Sequence, residues 1–410
     1  MIPAPPVAAP PVALYVHIPF CVSLCPYCDL VVYAGAAARG PRAQIDAFLE
    51  ALHAELTMRA DALDERFGSE RPPLETVYLG GGTPSLLPAT AVAELLAQVR
   101  ARFGFAAGAE VTLEANPGPD ERGEADAWAA AGVTRLSLGA QSLSDTELRR
   151  LGRRHHAADV ASAVRAAREK RIGSISLDLL YDIPDATLAD WMATLDAALA
   201  LEPNHLSLYA LTLDDPDAEG LTGVAGDHLP TTAGAYRWRA RVRPRQDEDR
   251  AAAQYQHATE RLAAAGWRGY EISNWARPGH ESRHNLVYWE RRPYEAVGPG
   301  AHAFDGASRR WNAARLEGYL AALVPGDGGA ARLPPGGAET LDVATAAAEC
   351  IILGLRTDRG VPLAVAQEPP FADAFRWAFD VALLEVRGDD RAVLTTRGRL
   401  LSNELFVRLV

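Results

Sequence analysis

Three absences restrict what this chain can be. It has only 4 cysteines in 410 residues, too few for a disulfide framework, which indicates a reducing, intracellular compartment. It has no run of about 18 uninterrupted apolar residues, so no membrane span is expected. It also has no excess of positive charge, because the formal net charge is −12. A general attraction to nucleic acid or to anionic lipid is therefore not expected.

The N-terminal segment MIPAPPVAAPPVA has no basic residue and contains five prolines. It therefore lacks both the charged start and the helical apolar stretch of a secretion signal. Its composition predicts a disordered or extended lead-in over residues 1–13. Together with the missing membrane span, this start predicts a cytoplasmic protein.

Three of the four cysteines lie close together. Cys21, Cys25 and Cys28 form a C-x3-C-x2-C run in HIPFCVSLCPYCDL. Such a run brings three thiolates to one metal centre, one ligand fewer than a closed iron–sulfur or zinc site needs. One coordination position is therefore expected to stay open for chemistry. Cys350 lies in the apolar, helix-like stretch AAECIILGL and is expected to be a buried core thiol rather than a fourth ligand.

Short β-type segments alternate with amphipathic helical segments, which predicts an α/β fold with a parallel sheet. Several strands alternate apolar residues with Ser or Thr, as in VTLE, SISLDL and LSLY, and this favours a curled sheet with a partly polar interior. Cysteine, glycine and polar residues follow successive strands, as in a β/α-barrel active site. Six strands predict a partial, TIM-like (β/α)6 barrel. The candidates are Leu14–Ile18, Thr76–Leu79, Glu110–Glu114, Arg135–Gly139, Ser174–Leu180 and His205–Leu211.

A smaller companion domain is expected as well, because 410 residues exceed the size at which one core stops growing. The stretch from 213 to 248 is rich in Asp, Pro, Gly and Arg and has no recognisable motif, and a helix is predicted from about Asp249 to Ala265. The composition of PGDGGAARLPPGGA predicts a linker. The predicted division is a lead-in at 1–13, the barrel at 14–248, a barrel-completing segment at 249–324, the linker at 325–338 and a winged-helix-like α+β domain at 339–410.

The motifs resemble those of a known superfamily. CVSLCPYC followed by YLGGGTPS resembles the radical S-adenosylmethionine (SAM) superfamily. LEANPG, LSLGAQS, LGRRHH, SLDLLYDIP and YEISNWARPGHESRHNLVYW resemble its coproporphyrinogen oxidase-like branch, over nearly the whole chain. The resemblance implies a radical SAM barrel in which the three cysteines hold a 4Fe-4S cluster and SAM chelates the remaining iron. A structural zinc site is the alternative, but it needs a fourth Cys or His nearby.

The resemblance also implies which residues contact SAM. The glycine loop would meet the methionyl amino group, and Arg153 would suit the carboxylate, because a guanidinium fork matches it. The acids and the amide would suit ribose or amino groups. The alternatives are a tight strand-to-helix turn at the glycines and ordinary polar residues at barrel strand ends. The implied set is Tyr15, Tyr27, Gly81, Gly82, Thr83, Glu114, Gln141, Arg153 and Asp178.

Two departures from the oxidase pattern narrow the resemblance, and a third departs from the pattern of the whole family. The oxidase has another cysteine two positions after the third motif cysteine, where this chain has Leu30, and it has a longer N-terminal arm. Both features resemble the related heme chaperone family, HemW. The usual glycine-bearing turn after the fifth strand is YDIPDAT here, with Asp182 and Asp185. Aspartate tolerates left-handed backbone angles, so this turn is expected to survive.

The string HNLVYW matches the HN-x-x-YW string implicated in heme binding in the chaperone family. An imidazole can ligate heme iron, and flanking aromatic rings can cover a porphyrin face. The alternative is a structural loop whose histidine caps a backbone group. The resemblance therefore implies a heme site formed by His284, Asn285, Tyr288 and Trp289.

Three functions follow, and whether the protein is an enzyme is left open. The first is a heme chaperone that binds a 4Fe-4S cluster, SAM and heme and delivers heme to acceptor proteins, respiratory proteins among them. The second is an oxygen-independent coproporphyrinogen oxidase, which would remove carbon dioxide from two propionates. The third is a non-catalytic metal-binding scaffold. Heme or porphyrin and an electron donor are the expected partners, with no nucleic acid.

Overall fold

The computed structural model describes residues 7–34, 43–213, 216–326, 329–388 and 390–410. Its strands are β1 (Ala13–Ile18), β2 (Phe20–Cys21), β3 (Tyr33–Ala34), β4 (Leu74–Gly81), β5 (Phe105–Ala115), β6 (Arg135–Gln141), β7 (Ser174–Tyr181), β8 (His205–Ala210), β9 (Arg268–Gly269), β10 (Asn274–Ala276), β11 (Tyr294–Val297), β12 (His302–Phe304), β13 (Ser308–Asn312), β14 (Gly336–Thr340), β15 (Val361–Pro362), β16 (Leu384–Arg387) and β17 (Arg391–Leu394).

Its α-helices are α1 (Ala43–Phe67), α2 (Ala89–Phe103), α3 (Ala125–Ala131), α4 (Asp145–Arg150), α5 (Ala157–Glu169), α6 (Leu188–Ala200), α7 (Ala233–Val242), α8 (Glu248–Ala264), α9 (Arg283–Trp289), α10 (Leu316–Leu323), α11 (Val343–Arg356), α12 (Ala372–Asp380), α13 (Thr396–Leu400) and α14 (Ser402–Phe406). Among the described helices, none is long and apolar enough to cross a membrane. The helix predicted from about Asp249 to Ala265 is α8, shifted by one residue.

The six predicted strands form the centre of the fold. They are β1, β4, β5, β6, β7 and β8, and they lie side by side in that order, each pair parallel. The strand β11 joins β1 as a further parallel neighbour, which the sequence did not predict. Antiparallel strands continue the sheet at both ends, β12–β14 beyond β11 and β10–β9 beyond β8. The result is the predicted α/β fold, a partial barrel.

The two faces of the central strands differ as the sequence predicted. Leu136 and Leu177 belong to the main apolar core, which also includes residues of the covering helices such as Val164 and Leu195. Ser137 and Ser176, next to those leucines in sequence, line a large cavity on the other face. Because strand side chains alternate between faces, this spacing assigns the leucines to the core and the serines to the interior of the barrel.

The C-terminal part has a core of its own. It contains α11, α12 and a three-stranded antiparallel sheet in the order β15-β17-β16, and its apolar side chains form a separate buried cluster. This agrees with the predicted smaller α+β unit. Cys350 lies on α11 as predicted, but it is partly exposed rather than fully buried.

Two segments that composition assigned to irregular chain are partly ordered. Within the predicted disordered lead-in, Ala9 N donates to Asp305 O (2.8 Å) and Val12 N donates to Pro293 O (3.0 Å); residues 1–6 of that lead-in lie outside the described residues. The predicted linker at 325–338 ends inside β14, which pairs with β13, and its residues 327–328 lie outside the described part. Backbone pairing to distant segments supplied order that local composition did not predict.

Candidate functional site

A cavity of about 780 Å³ lies at the carboxyl ends of the central strands. The strands β4 to β8 contribute to its wall, together with the cysteine loop after β1 and residues of the C-terminal unit. This is the edge at which a β/α barrel carries its active site. The predicted site residues that line it are Cys21, Cys25, Cys28, Tyr27, Gly81, Gly82, Glu114, Gln141, Arg153, Asp178 and Asn285.

The three cysteines lie on one loop at the cavity wall. Cys21 is the last residue of β2, and its Sγ lies 3.2 Å from the Thr83 hydroxyl. The amide of Cys28 donates to the Cys25 carbonyl at 3.1 Å, which closes a tight turn between these two cysteines. The guanidinium of Arg153 donates from Nη1 to Cys25 Sγ at 3.4 Å. A positive charge and a hydroxyl donor therefore stand beside two of the sulfurs.

The surroundings of this loop suit a bound metal cluster. Burial raises the pKa of the Cys21 and Cys28 thiols to about 12, so a cation has to lie beside these sulfurs for them to ionise near neutral pH. The Tyr27 hydroxyl and Arg153 Nε are buried with no hydrogen-bond partner among the described residues. Orphaned polar atoms are uncommon in native proteins and indicate a site for a polar ligand.

The described side chains do not form a preorganised site for a single metal ion. Within the ranges given above, no group of three or more His, Cys, Asp or Glu could hold one metal ion together. A 4Fe-4S cluster makes a different demand, because it contains several irons and its thiolate ligands are spread over them. The three-cysteine loop therefore fits a cluster as its resident group.

The glycine loop is shaped first by the protein itself. Gly81 has φ of 107°, and a Cβ added there would lie 2.5 Å from the His17 ring. A Cβ on Gly82 would lie 2.7 Å from the Phe20 carbonyl oxygen. The turn alternative thus accounts for both glycines, since no larger residue fits. Their predicted approach to a methionyl amino group stays a prediction.

Two carboxyl groups are buried in the cavity wall. Glu114 accepts from the Tyr78 hydroxyl at 2.7 Å and from the Gly81 amide at 2.9 Å, and burial raises its pKa to about 7. Asp178 accepts from the Ser137 hydroxyl at 3.1 Å and from the Ser176 hydroxyl at 3.4 Å, and burial raises its pKa as well. Both carboxyl groups would become ionised readily beside a cationic ligand.

Arg153 connects the cysteine loop to the strand ends. Its Nη2 donates to the Gly139 carbonyl at 2.8 Å and to the Asn116 side-chain oxygen. Gln141, the last residue of β6, has φ of 65°, a left-handed conformation that is uncommon outside glycine and clusters at functional sites. Asn116 was not predicted, although it lies two residues after Glu114 in LEANPG.

The turn in which two aspartates replace glycines keeps its backbone shape. Asp182 has φ of 55° and Asp185 has φ of 62°, so both occupy the left-handed region, and the prediction for this turn is confirmed. Each is held by an arginine. Arg250 Nε donates to Asp182 at 3.0 Å, and Arg245 Nη1 donates to Asp185 at 2.8 Å. These ion pairs offset the backbone strain.

The structure divides the HN-x-x-YW string between different environments. The imidazole of His284 is buried, with Nδ1 2.7 Å from the Thr76 hydroxyl and Nε2 2.8 Å from the Tyr288 hydroxyl. Burial lowers the pKa of His284 to about 3, so the ring is neutral. Both ring nitrogens are therefore engaged, but by side-chain hydroxyls and from a helix, rather than by a backbone group in a loop as the structural alternative expects. Asn285 reaches the main cavity.

The other two aromatic residues of the string lie away from the main cavity. Tyr288 lines a second cavity of about 290 Å³, which Tyr15 also lines. Tyr15 is not among the residues that line the main cavity, and its hydroxyl lies 3.0 Å from His17 Nδ1; its predicted contact with SAM stays a prediction. The Trp289 ring packs under the Arg356 guanidinium, 4.5 Å away. Thr83 is buried behind Cys21 and does not line the main cavity either.

Sequence reasoning missed two contributions to the site. Arg239 on α7 donates from Nε to the Pro26 carbonyl at 3.1 Å and from Nη2 to the Cys28 carbonyl at 2.9 Å, so the stretch without a motif holds the cysteine loop. Arg356 and Asn403 reach the main cavity from the C-terminal unit. No local pattern marks these residues, although a run of arginines along α7 is visible in the sequence.

The chain was compared with known protein families and curated proteins. The model of the radical SAM superfamily matches residues 15–198. A curated protein named heme chaperone HemW from Mycobacterium tuberculosis is 38% identical over 400 residues, which are 97% of this chain and 94% of that protein. Heme chaperone HemW from Bacillus subtilis is 31% identical over 407 residues, 96% of this chain and 97% of that protein.

Solved structures were compared as well. Coproporphyrinogen III oxidase (HemN) from Escherichia coli, described as a radical SAM enzyme, superposes with a TM-score of 0.77 at 22% sequence identity. The match covers 98% of this chain and 90% of the oxidase chain. At this level of identity the likeness establishes a common fold, and it leaves the choice of substrate open.

Proposed function

The chain belongs to the HemW family of radical SAM proteins, and from this membership we propose that it is a heme chaperone. It binds a 4Fe-4S cluster, SAM and heme, and it delivers the heme to acceptor proteins. The observation that supports this most is the convergence of the three-cysteine loop with Glu114 and Arg153 on one cavity of about 780 Å³.

The residues of the main cavity have distinct tasks in this proposal. When bound, the cluster supplies a source of single electrons and one open iron position. Three thiolates would hold it, and the guanidinium of Arg153 would stabilise the charge on Cys25 and bind the SAM carboxylate. Glu114 and Asp178 would accept hydrogen bonds from the amino and ribose groups of SAM. Arg239 holds the cysteine loop in place through two backbone carbonyls.

The cysteine loop also supports the chaperone over the oxidase. Leu30 stands where the oxidase pattern has a further cysteine; its side chain is 51% exposed and lines both cavities. An exposed apolar side chain beside the cluster loop offers a contact for a flat apolar ligand. We propose that heme approaches the protein on this side.

In this proposal the HN-x-x-YW string contacts heme through the aromatic ring of Tyr288. Tyr288 presents its ring to the second cavity, and His284 holds the Tyr288 hydroxyl at 2.8 Å. Direct ligation of iron by His284 would require a nitrogen of this buried ring to give up its hydrogen-bond partner, either the Thr76 hydroxyl or the Tyr288 hydroxyl, which is costly. We therefore propose that His284 orients Tyr288, while Asn285 and Trp289 join the string to the main cavity and to the C-terminal unit.

One experiment on the reconstituted protein tests this function. The cluster is assembled anaerobically, and the same sample is then titrated with heme by absorbance and assayed for coproporphyrinogen turnover with a reductant and SAM. Stoichiometric heme binding without decarboxylation is the expected result. Formation of protoporphyrinogen would instead establish an oxidase, and the absence of a reducible iron–sulfur chromophore would favour the non-catalytic scaffold.

The remaining parts of the proposal concern the partner proteins and the cellular compartment. Heme-acceptor proteins, including respiratory ones, would receive the heme, and an electron donor would reduce the cluster. The protein would act in the cytoplasm. Transfer of heme from the loaded protein to a candidate acceptor, followed by absorbance after separation of the two proteins, tests the delivery step.

A further inference from the structure

The second cavity contains a group of side chains that no part of the radical SAM chemistry uses. Its volume is about 290 Å³. Its lining has an aromatic and apolar part, formed by Tyr288, Tyr294 and Leu30, and a polar part that includes Asp29, His228 and His302. Leu30 also lines the main cavity, so the two cavities share the segment that directly follows the cluster loop.

A single carboxylate orients both imidazoles. Asp227 Oδ1 lies 3.0 Å from His228 Nδ1, and Asp227 Oδ2 lies 2.8 Å from His302 Nε2. The side chain of Asp227 is 15% exposed, and each of its two oxygens lies within hydrogen-bond distance of one imidazole nitrogen.

These contacts determine the tautomers. An ionised carboxylate only accepts hydrogen bonds, so His228 has to carry a proton on Nδ1 and His302 has to carry one on Nε2. A neutral His228 ring then has its lone pair on Nε2, for which no hydrogen-bond partner is found within the described ranges. An imidazole that donates one N–H to a carboxylate and keeps the other nitrogen available is the usual arrangement of a metal-ligating histidine.

The remaining nitrogens of His228 and His302 suit the iron of heme better than a metal ion without a porphyrin. Both carboxylate oxygens of Asp227 are already occupied by the imidazoles, so two nitrogens remain, fewer than the three or four protein ligands of a typical zinc site. A heme iron brings four nitrogens of its own and needs axial ligands alone. The aromatic wall supplies a second match, because the Tyr288 and Tyr294 rings lie 4.6 Å apart in an edge-on pair that can cover a porphyrin face.

We propose that His228 ligates the iron of heme through Nε2 in this second cavity, with Asp227 and His302 as positioning residues. The inference rests on the proposed heme-chaperone function and names the iron ligand that function requires. The cavity is smaller than a porphyrin, so it covers part of one face and leaves the remainder in solvent. Partial cover suits a carrier that has to release its heme.

The neighbourhood of His302 supports a positioning role for it. Its ring stacks against Trp311 with centroids 6.0 Å apart, and burial lowers its pKa, so it remains a neutral donor to Asp227. His228 is held from the backbone side, since its amide donates to the Leu221 carbonyl at 3.3 Å. The orientation of His228 Nε2 is thus fixed by two contacts, one from Asp227 to the ring and one from Leu221 to the backbone.

The test is an absorbance titration of the full-length reconstituted protein with ferric heme. The His228→Ala variant should weaken heme binding by about 100-fold or more, above the loss typical for supporting residues, and should lose the imidazole-ligated Soret spectrum. Added free imidazole should restore that spectrum. The Asp227→Asn variant should keep the ligand but weaken binding by roughly tenfold and shift the absorbance bands.

Two further variants serve as controls, one that replaces the ligand with a different one and one that lies outside both cavities. His228→Met keeps a side chain of similar length and should give the spectrum of a thioether-ligated heme. His257→Ala, on α8 outside both cavities, is the matched control and should behave as the unaltered protein. Circular dichroism verifies that each variant is folded before it is titrated.

The outcomes separate the two levels of the proposal. If the unaltered protein does not bind heme, the chaperone function fails, and this inference fails with it. If it binds heme and both His228 variants keep the original affinity and spectrum, the function stands and the assignment of His228 is overturned. Loss of the Soret signature in His284→Ala alone would assign the iron to the HN-x-x-YW string.

Discussion

At the scale of single residues, Glu114 shows how burial prepares a group for a ligand. It is half-buried at the cavity wall, and desolvation raises its pKa to about 7 although the Tyr78 hydroxyl and the Gly81 amide both stabilise its charge. The ionised form is therefore more costly in the folded protein than in the unfolded chain. A cationic amino group in the cavity would reverse that cost.

This shift has a defined effect on stability. Because the folded pKa lies above the ordinary value of 4.5, the contribution of Glu114 to stability is fully present below about pH 4.5 and is lost as the pH rises through about 7. The loss should be about 3 kcal/mol, at roughly 1.4 kcal/mol per pKa unit. In urea unfolding of the cluster-free protein at pH 5 and pH 8, Glu114→Gln should reduce the difference between the two free energies of unfolding. An unchanged difference would contradict the assignment.

Gly81 is a second case in which one residue is determined by its surroundings. Its positive φ and the His17 ring 2.5 Å from the position of an added Cβ both oppose a side chain. We expect Gly81→Ala to lower the free energy of unfolding by about 2 to 5 kcal/mol, the sum of backbone strain and overpacking.

A matched variant separates these two effects. Gly108 also has a positive φ, but an added Cβ there meets nothing within 4 Å. Gly108→Ala should therefore show the strain alone, about 1 to 2 kcal/mol. Chemical unfolding measures the free energy of unfolding of both variants. If it falls equally in the two, the contact with His17 does not contribute to the effect.

At the scale of elements, α7 and the cysteine loop form one unit. The Arg239 side chain is buried and donates to the carbonyls of Pro26 and Cys28. These carbonyls would lose their donors in Arg239→Ala, at a cost of about 1 to 3 kcal/mol. We expect a lower melting temperature and fewer iron atoms per chain after anaerobic reconstitution.

The control for this prediction lies on the same helix. Arg241 is exposed, so Arg241→Ala removes a positive charge from α7 without touching the loop. Iron content and melting temperature should match those of the unaltered protein. If Arg239→Ala also retained its full iron content, the loop would not depend on α7 for cluster binding.

At the scale of the whole molecule, the C-terminal unit completes the main cavity. It contributes Arg356 and Asn403 to the wall, and it is joined to the barrel side by polar contacts. Arg399 on α13 donates to the carbonyls of Glu271 and Gly269, both at 3.2 Å. The backbone of Thr357 also bridges that of Glu271.

Loosening this contact should affect the C-terminal unit selectively. In Arg399→Ala, we expect faster amide exchange across residues 343–410 and little change in the central strands, because two hydrogen bonds worth about 1 to 3 kcal/mol in all are lost. Hydrogen exchange followed by mass spectrometry measures this. Arg397→Ala, exposed on the same helix, should exchange as the unaltered protein does, and equal rates in both variants would exclude a joining role for Arg399.

The sequence by itself determined the features that depend on neighbours along the chain. The six central strands followed from periodicity, the grouping of Cys21, Cys25 and Cys28 at one cavity from their spacing, and the left-handed turn at Asp182 from the backbone tolerance of aspartate. The serine–leucine alternation correctly indicated a polar barrel interior. Each of these signals is local, because hydrogen-bond geometry and side-chain period act over a few residues.

Only the tertiary structure decided the features that depend on residues far apart in the chain. Arg239 and Cys28 are 211 residues apart, and no local pattern connects them. The string HN-x-x-YW reads as one motif, yet the fold presents Asn285 and Tyr288 to two different cavities and encloses His284 between Thr76 and Tyr288. Asp227 and His302 likewise meet only after folding. Tertiary packing decides such contacts, because the burial and orientation of a side chain depend on elements that are distant from it in the sequence.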